Sequence, residues 1–258
     1  MRAARILLVV AWAGAWVPAQ AQVQAPAQEA APAPPKALTV EERLFSAIDE
    51  GKELVAEGIL VRERANLDAR NRDGETPLHR AVEKGMRELA RALVKSGASL
   101  RARSRNGETP LHYATLNPEP VFVAMLLDAG ADVRVRNDDG ETPMHWAALS
   151  GNAAVVGLLL ARGADPNQAD IAGNSTLHSA ADSGNLELVR MLLTRVRDAK
   201  LRNREGRSAE DVARARGHAE MAKLLAAGAP RGEPPVQPGS GVSNVRTIDI
   251  DDQPKQQF

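Results

Sequence analysis

Four of the five histidines in this chain, His79, His112, His145 and His178, recur at a step of 33 residues. Imidazole suits general acid–base work and metal ligation near neutral pH, so a row of four invites a catalytic or metal-binding reading. Geometry argues against it. Residues one step apart would sit on neighbouring helices, whose axes pack about 8–10 Å apart, whereas zinc holds its nitrogens at about 2.0–2.1 Å. Successive rings cannot meet on one ion. The acidic pairs Asp138-Asp139 and Asp251-Asp252 read as solvated residues of a turn and a tail. The sequence contains no Gly-rich phosphate loop, nucleophile elbow or pair of histidines on one helix. The residue chemistry predicts no enzyme, no cofactor and no metal.

The histidines belong to a longer phrase. Gly-Glu-Thr-Pro-Leu-His runs from Gly74 to His79 and from Gly107 to His112, and returns with Met for Leu at Gly140 to His145. A worn copy occupies Gly173 to His178, and an echo begins at Gly206. Leu93, Leu126, Leu159, Leu192 and Leu225 keep the same step, as do Ala81, Ala114, Ala147, Ala180 and Ala213. Self-similarity at this period means a solenoid of stacked units. Within one unit, Asn137 to Gly140 is turn chemistry, Thr142 an N-cap and Pro143 the first helical residue. The spacing predicts a short helix to about Ser150, a break at Gly151, and a second helix from about Ala153 to Arg162 that Gly163 stops. Helices this short are unstable alone, and the leucine series is the seam that stacking buries.

The period, the Thr-Pro-Leu-His core and the Gly-Ala-Asp endings (Gly130 to Asp132, Gly163 to Asp165) resemble the ankyrin repeat family over residues 39–230. The resemblance implies an all-α solenoid of about six 33-residue helix-turn-helix repeats with hairpin-like turns. It also implies a binding scaffold without catalysis, in which the histidine ties turn to helix by hydrogen bonds. Three departures stand out. Asn117 to Pro120 replaces an inter-helix Gly. Val196 stands where Gly97, Gly130 and Gly163 stand, and a β-branched residue resists the left-handed region, so it strains that turn or forces another. The first repeat keeps only the outline and carries one extra residue.

Flanking segments read differently. Arg2 and Arg5 precede an apolar run, Ile6 to Val17, and Ala19-Gln20-Ala21 has the form of a signal cleavage site. Residues 1–21 are therefore expected to be a signal peptide, placing the protein in the periplasm of a Gram-negative bacterium or outside the cell, with no stable membrane insertion after cleavage. Residues 22–38 form an Ala/Pro/Gln-rich linker and 231–258 a Pro/Gly-rich linker and tail. The chain has 33 basic and 33 acidic residues; the signal would remove two basic ones, leaving a net charge of about −2. Near-neutral charge and export disfavour nucleic acid. There is no cysteine.

Positions that vary among repeats mark the binding surface. On the first helices these are Arg80, Glu83 and Lys84, then Tyr113, Leu116 and Asn117, then Trp146, Leu149 and Ser150, then Ser179, Asp182 and Ser183. The middle two sets place an aromatic beside a leucine, an apolar centre with a polar rim. Tyr113, Leu116, Trp146 and Leu149 are thus partner-binding candidates, although the two rings could instead cover the turns. Arg103, Arg105, Arg136 and Asp138 at the turns complete the candidate set. Arg70, Arg103, Arg136 and Arg202 form a column interrupted by Ala169, beside Glu75, Glu108 and Glu141. Such columns are expected to neutralise one another across adjacent turns. The expectation is a monomeric, non-enzymatic scaffold binding a client protein on its concave face. The alternative is an immunity or inhibitor protein occluding an exported toxin or enzyme.

Overall fold

The computed structural model describes residues 37–228. The expected signal peptide, nearly all of the first linker and the tail 231–258 lie outside them. Among the described residues are twelve helices. They run α1 (Val40–Asp49), α2 (Glu53–Glu63), α3 (Pro77–Glu83), α4 (Arg87–Lys95), α5 (Pro110–Leu116) and α6 (Val121–Asp128). Then come α7 (Pro143–Leu149), α8 (Ala153–Ala161), α9 (Thr176–Ser183), α10 (Leu186–Leu193), α11 (Ala209–Ala215) and α12 (Ala219–Ala227). They form six pairs, and each pair packs on the next, first helix on first helix and second on second. None is long and apolar enough to cross a membrane.

The repeated positions explain the stacking. Leu93, Leu126, Leu159, Leu192 and Leu225 are at most 1% exposed and form the seam. Each such burial is worth about 1.5–3 kcal/mol. Ala81, Ala114, Ala147, Ala180 and Ala213 are fully buried where first helices meet, and a larger side chain there would overpack the junction. Thr76, Thr109 and Thr142 cap their helices with Pro at the first helical position, as the sequence predicts. Thr39 caps α1 in a capping box with Glu42.

Between the pairs run hairpin-like turns. In each, one amide–carbonyl bond closes the turn, from Asn71 N to Glu75 O at 3.0 Å and from Asn137 N to Glu141 O at 2.9 Å, for example. A second joins each turn to its neighbour, as Arg105 N does to Asp73 O at 2.8 Å and Asp138 N to Asn106 O at 3.0 Å. Gly74 shows why glycine is needed here. Its φ is +75°, and a Cβ would lie 2.9 Å from the Arg105 nitrogen of the next turn, so the turns could not close up.

The departures resolve individually. Val196 does not enter the left-handed region. Instead α10 stops at Leu193, Arg195 and Val196 both donate to Leu192 O, and Val196 packs against the core; a different turn is made. Arg64, the first repeat's counterpart of Gly97, does take φ 50°, ψ 49°. An unbranched Cβ permits what Val refuses. After α5, Asn117 is extended and Pro120 caps α6. Asn152 of the next repeat donates its Nδ2 to the freed Asn117 and Pro118 carbonyls at 3.2 Å each.

Candidate protein-binding site

The histidines hold the turns that carry the candidate site. Thr76 N donates to His79 Nδ1 at 3.1 Å, and the same bond recurs at His112, His145 and His178. An Nδ1 that accepts an amide proton is unprotonated, so the proton sits on Nε2. Each Nε2 then donates to a carbonyl of the following repeat: Glu108, Glu141, Asn174 and Arg207, at 3.1–3.2 Å. Both nitrogens of every ring are spent on structure. Burial pushes His79 and His112 down to about 4 and lowers His145 and His178 for the same reason.

Above these rings lie the two aromatics. Tyr113 meets His79 edge-on at 5.4 Å between centroids, Trp146 meets His112 at 5.5 Å, and the two lie 6.0 Å apart. Their polar tips are tied to turn carboxylates: Tyr113 Oη donates to Glu75 Oε1 and Trp146 Nε1 to Glu141 Oε2, both at 2.7 Å. Burial, then the Glu75 carboxylate, raises the Tyr113 phenol above its usual range. The rings therefore do cover the turns, and they are half-buried rather than fully presented. One turn along each helix, Leu116 and Leu149 are 51% and 49% exposed. These four residues share one face, as their spacing predicts.

The arginine column is built otherwise than expected. Arg70 Nη1 donates to Gly74 O at 2.8 Å and to the Arg103 carbonyl one repeat on. Arg103 donates to Arg136 O at 3.0 Å and to Asp138 Oδ1 at 2.9 Å. Arg136 Nε donates to Gly140 O at 2.9 Å, with a second bond to Ala169 O. The guanidinium groups staple carbonyls of successive turns, and none of these three bridges to the glutamate column. The carboxylates have their own partners: Asn71 Nδ2 for Glu75 at 2.7 Å, Ser104 Oγ for Glu108 and Asn137 Nδ2 for Glu141 at 2.9 Å. Arg105 is likewise engaged, donating to Arg72 O. The turn-tip candidates Arg103, Arg105, Arg136 and Asp138 thus all hold turns together.

Sequence reasoning passed over the column Asn71, Ser104, Asn137, Asp170 and Asn203, whose side-chain oxygens receive the amide four residues on. Its 33-residue step was the available signal. It also missed Ile171, a turn-tip residue 52% exposed.

Two family models match the chain. One, described as ankyrin repeats in three copies, covers residues 44–137 and 99–170. The other, ankyrin repeats in many copies, covers residues 159–213. No curated protein matches the chain.

Proposed function

The chain belongs to the ankyrin repeat family, and from that premise we propose that it binds a client protein on the face of its first helices, as an accessory factor in the periplasm. Repeats of this family are protein–protein interaction scaffolds and generally non-enzymatic. The observation that carries the reading is the pair Leu116 and Leu149, half-exposed beside the half-buried Tyr113 and Trp146. Leu116 and Leu149 hold the same position on the adjacent helices α5 and α7, and apolar residues ringed by polar ones are the centre of an interface. Arg2, Arg5, the apolar run Ile6 to Val17 and Ala19-Gln20-Ala21 support export.

Capture from periplasmic extract tests the site. A Leu116→Ser/Leu149→Ser bait should melt like the parent chain, since both side chains are half in solvent, yet retain less than about a tenth of the captured client. Undiminished capture would place the site elsewhere. N-terminal sequencing should find Gln22; an intact Met1 in a membrane pellet would count against cleavage and against a soluble periplasmic protein.

A further inference from the structure

We propose that the client segment taken by this face is cationic, and that one of its lysine or arginine side chains enters the cavity beside Leu149. The proposal rests on the binding-face reading above and adds the chemistry of the partner. The cavity has about 460 Å³ and is lined by the carboxylates Glu141, Asp170 and Asp182, by Arg207 and Arg216, and by Leu149, Ser179 and Val212 among others. It exists because the aromatic column stops. Ser179 stands one repeat beyond Trp146 and two beyond Tyr113, so no ring fills the space over the turn between α8 and α9.

Charge decides what fits. The two arginines of the cavity wall, and Arg80 further along the face, already have acidic partners. Arg80 is held by Asp49, Glu83 and Glu75, Arg216 by Asp182 and Arg207 by Glu205. Among the described residues no ion pair reaches Glu108, Glu141 or Asp170. Glu108 is only 7% exposed and is held by the Ser104 hydroxyl. Glu141 has the Asn137 amide and the Trp146 indole, and Asp170 the Asn174 amide groups at 2.7 and 3.0 Å. Neutral donors satisfy hydrogen bonding but bring no opposite charge, so a cation can still be taken up by these carboxylates. An entering ammonium or guanidinium meets Glu141 and Asp170, while its alkyl stem lies on Leu149 and Val212. An anionic segment meets the same carboxylates and is repelled.

Calorimetric titration of the full chain with tetra-arginine amide and with tetra-glutamate, at low ionic strength, tests this. Tetra-arginine should bind and tetra-glutamate should not. Glu141→Gln and Asp170→Asn should each weaken tetra-arginine about tenfold. Both amides keep an oxygen for Trp146 or Asn174, and unchanged melting would confirm the fold. Glu88→Gln, on the outer helix α4, should change nothing. Equal weakening by Glu88→Gln, or binding of tetra-glutamate, would overturn the proposal. The underlying reading fails differently. If Leu116→Ser/Leu149→Ser abolishes client capture while tetra-arginine ignores Glu141 and Asp170, the face stands and the cationic specificity falls. If capture survives that double variant, the face itself is wrong.

Discussion

Each buried histidine is held neutral by accepting at Nδ1 and donating at Nε2, so protonation would break a turn-to-helix bond and leave a charge inside. The sign of the pH dependence follows. Burial depresses the folded-state values of His79 and His112 to about 4 from the ordinary 6.5, so between those limits the unfolded chain binds more protons. The stability these rings contribute is complete above about pH 6.5 and is lost as pH falls toward 4. Each ring can contribute a slope of up to about 1.4 kcal/mol per pH unit, and His145 and His178 add in the same direction. Urea titrations at pH 7.5, 6.5 and 5.5 should show the midpoint falling only a little over the first interval and much more steeply over the second, before carboxylates titrate. A flat midpoint down to pH 5 would mean that the rings titrate as if solvated. Two residues before the last of these histidines, Thr176 takes the slot held elsewhere by Pro77, Pro110 and Pro143. Its Oγ1 is buried without a hydrogen-bond partner. Ser175 before it is already extended, with ψ 169°, as a following proline requires. Thr176→Pro should therefore stabilise by about 1 kcal/mol, read as a raised denaturation midpoint; a lower one would show that the fifth cap differs from the others.

At the scale of elements, the helix pairs, their caps and their glycine stops were legible because each is written several times in phase. The repeated Thr, Pro and Gly define one local conformation, and the buried Leu and Ala series define one seam. What was not legible is how a departure is absorbed, because that depends on neighbours at other steps. The arginine column was visible, but its acceptors are backbone carbonyls, which carry no sequence signature. Tyr113 and Trp146 were visible as a pair; that their tips seek Glu75 and Glu141 needed the turn geometry. Arg64 and Val196 make the same point, since both replace a stop glycine and only Arg64 adopts a positive φ. Arg64→Gly should relieve a left-handed residue and stabilise by about 1 kcal/mol. Val196→Gly should destabilise instead, because it removes a side chain packed on the core and adds backbone entropy to the unfolded chain. Thermal melts of the two variants moving in the same direction would contradict this account of the two turns.

In the whole molecule, stability is close to a sum of repeats and nearest-neighbour junctions, so a missing link at one junction is felt there. The guanidinium staples run from Arg70 to Arg103 O, from Arg103 to Arg136 O and from Arg136 to Ala169 O. At the fourth turn, between α8 and α9, the column holds Ala169, which has nothing to reach the Arg202 carbonyl. The terminal pair α11 and α12 has no following repeat among the described residues and is joined to the fifth without this bond. It keeps the bonds from His178 to Arg207 O at 3.1 Å and from Arg204 N to Ala172 O at 2.9 Å. Ala169→Arg should complete the column. Its backbone pairs with Ser175 as that of Arg202 pairs with Ser208, so an arginine is accommodated in this local geometry. By analogy with Arg136, the new side chain would serve both the Gly173 and the Arg202 carbonyls. An exposed charged donor to a carbonyl contributes about 1 kcal/mol, or roughly fivefold in an opening equilibrium. Amide exchange across residues 201–228 should slow by about that factor, while α3 to α8 keep their rates because they share no junction with the change. Carbonyl acceptors carry no net charge, so the gain should persist in molar salt, unlike that of a surface ion pair. Unchanged exchange in α11 and α12 would mean that the staples of the central turns are decoration rather than part of what joins one repeat to the next.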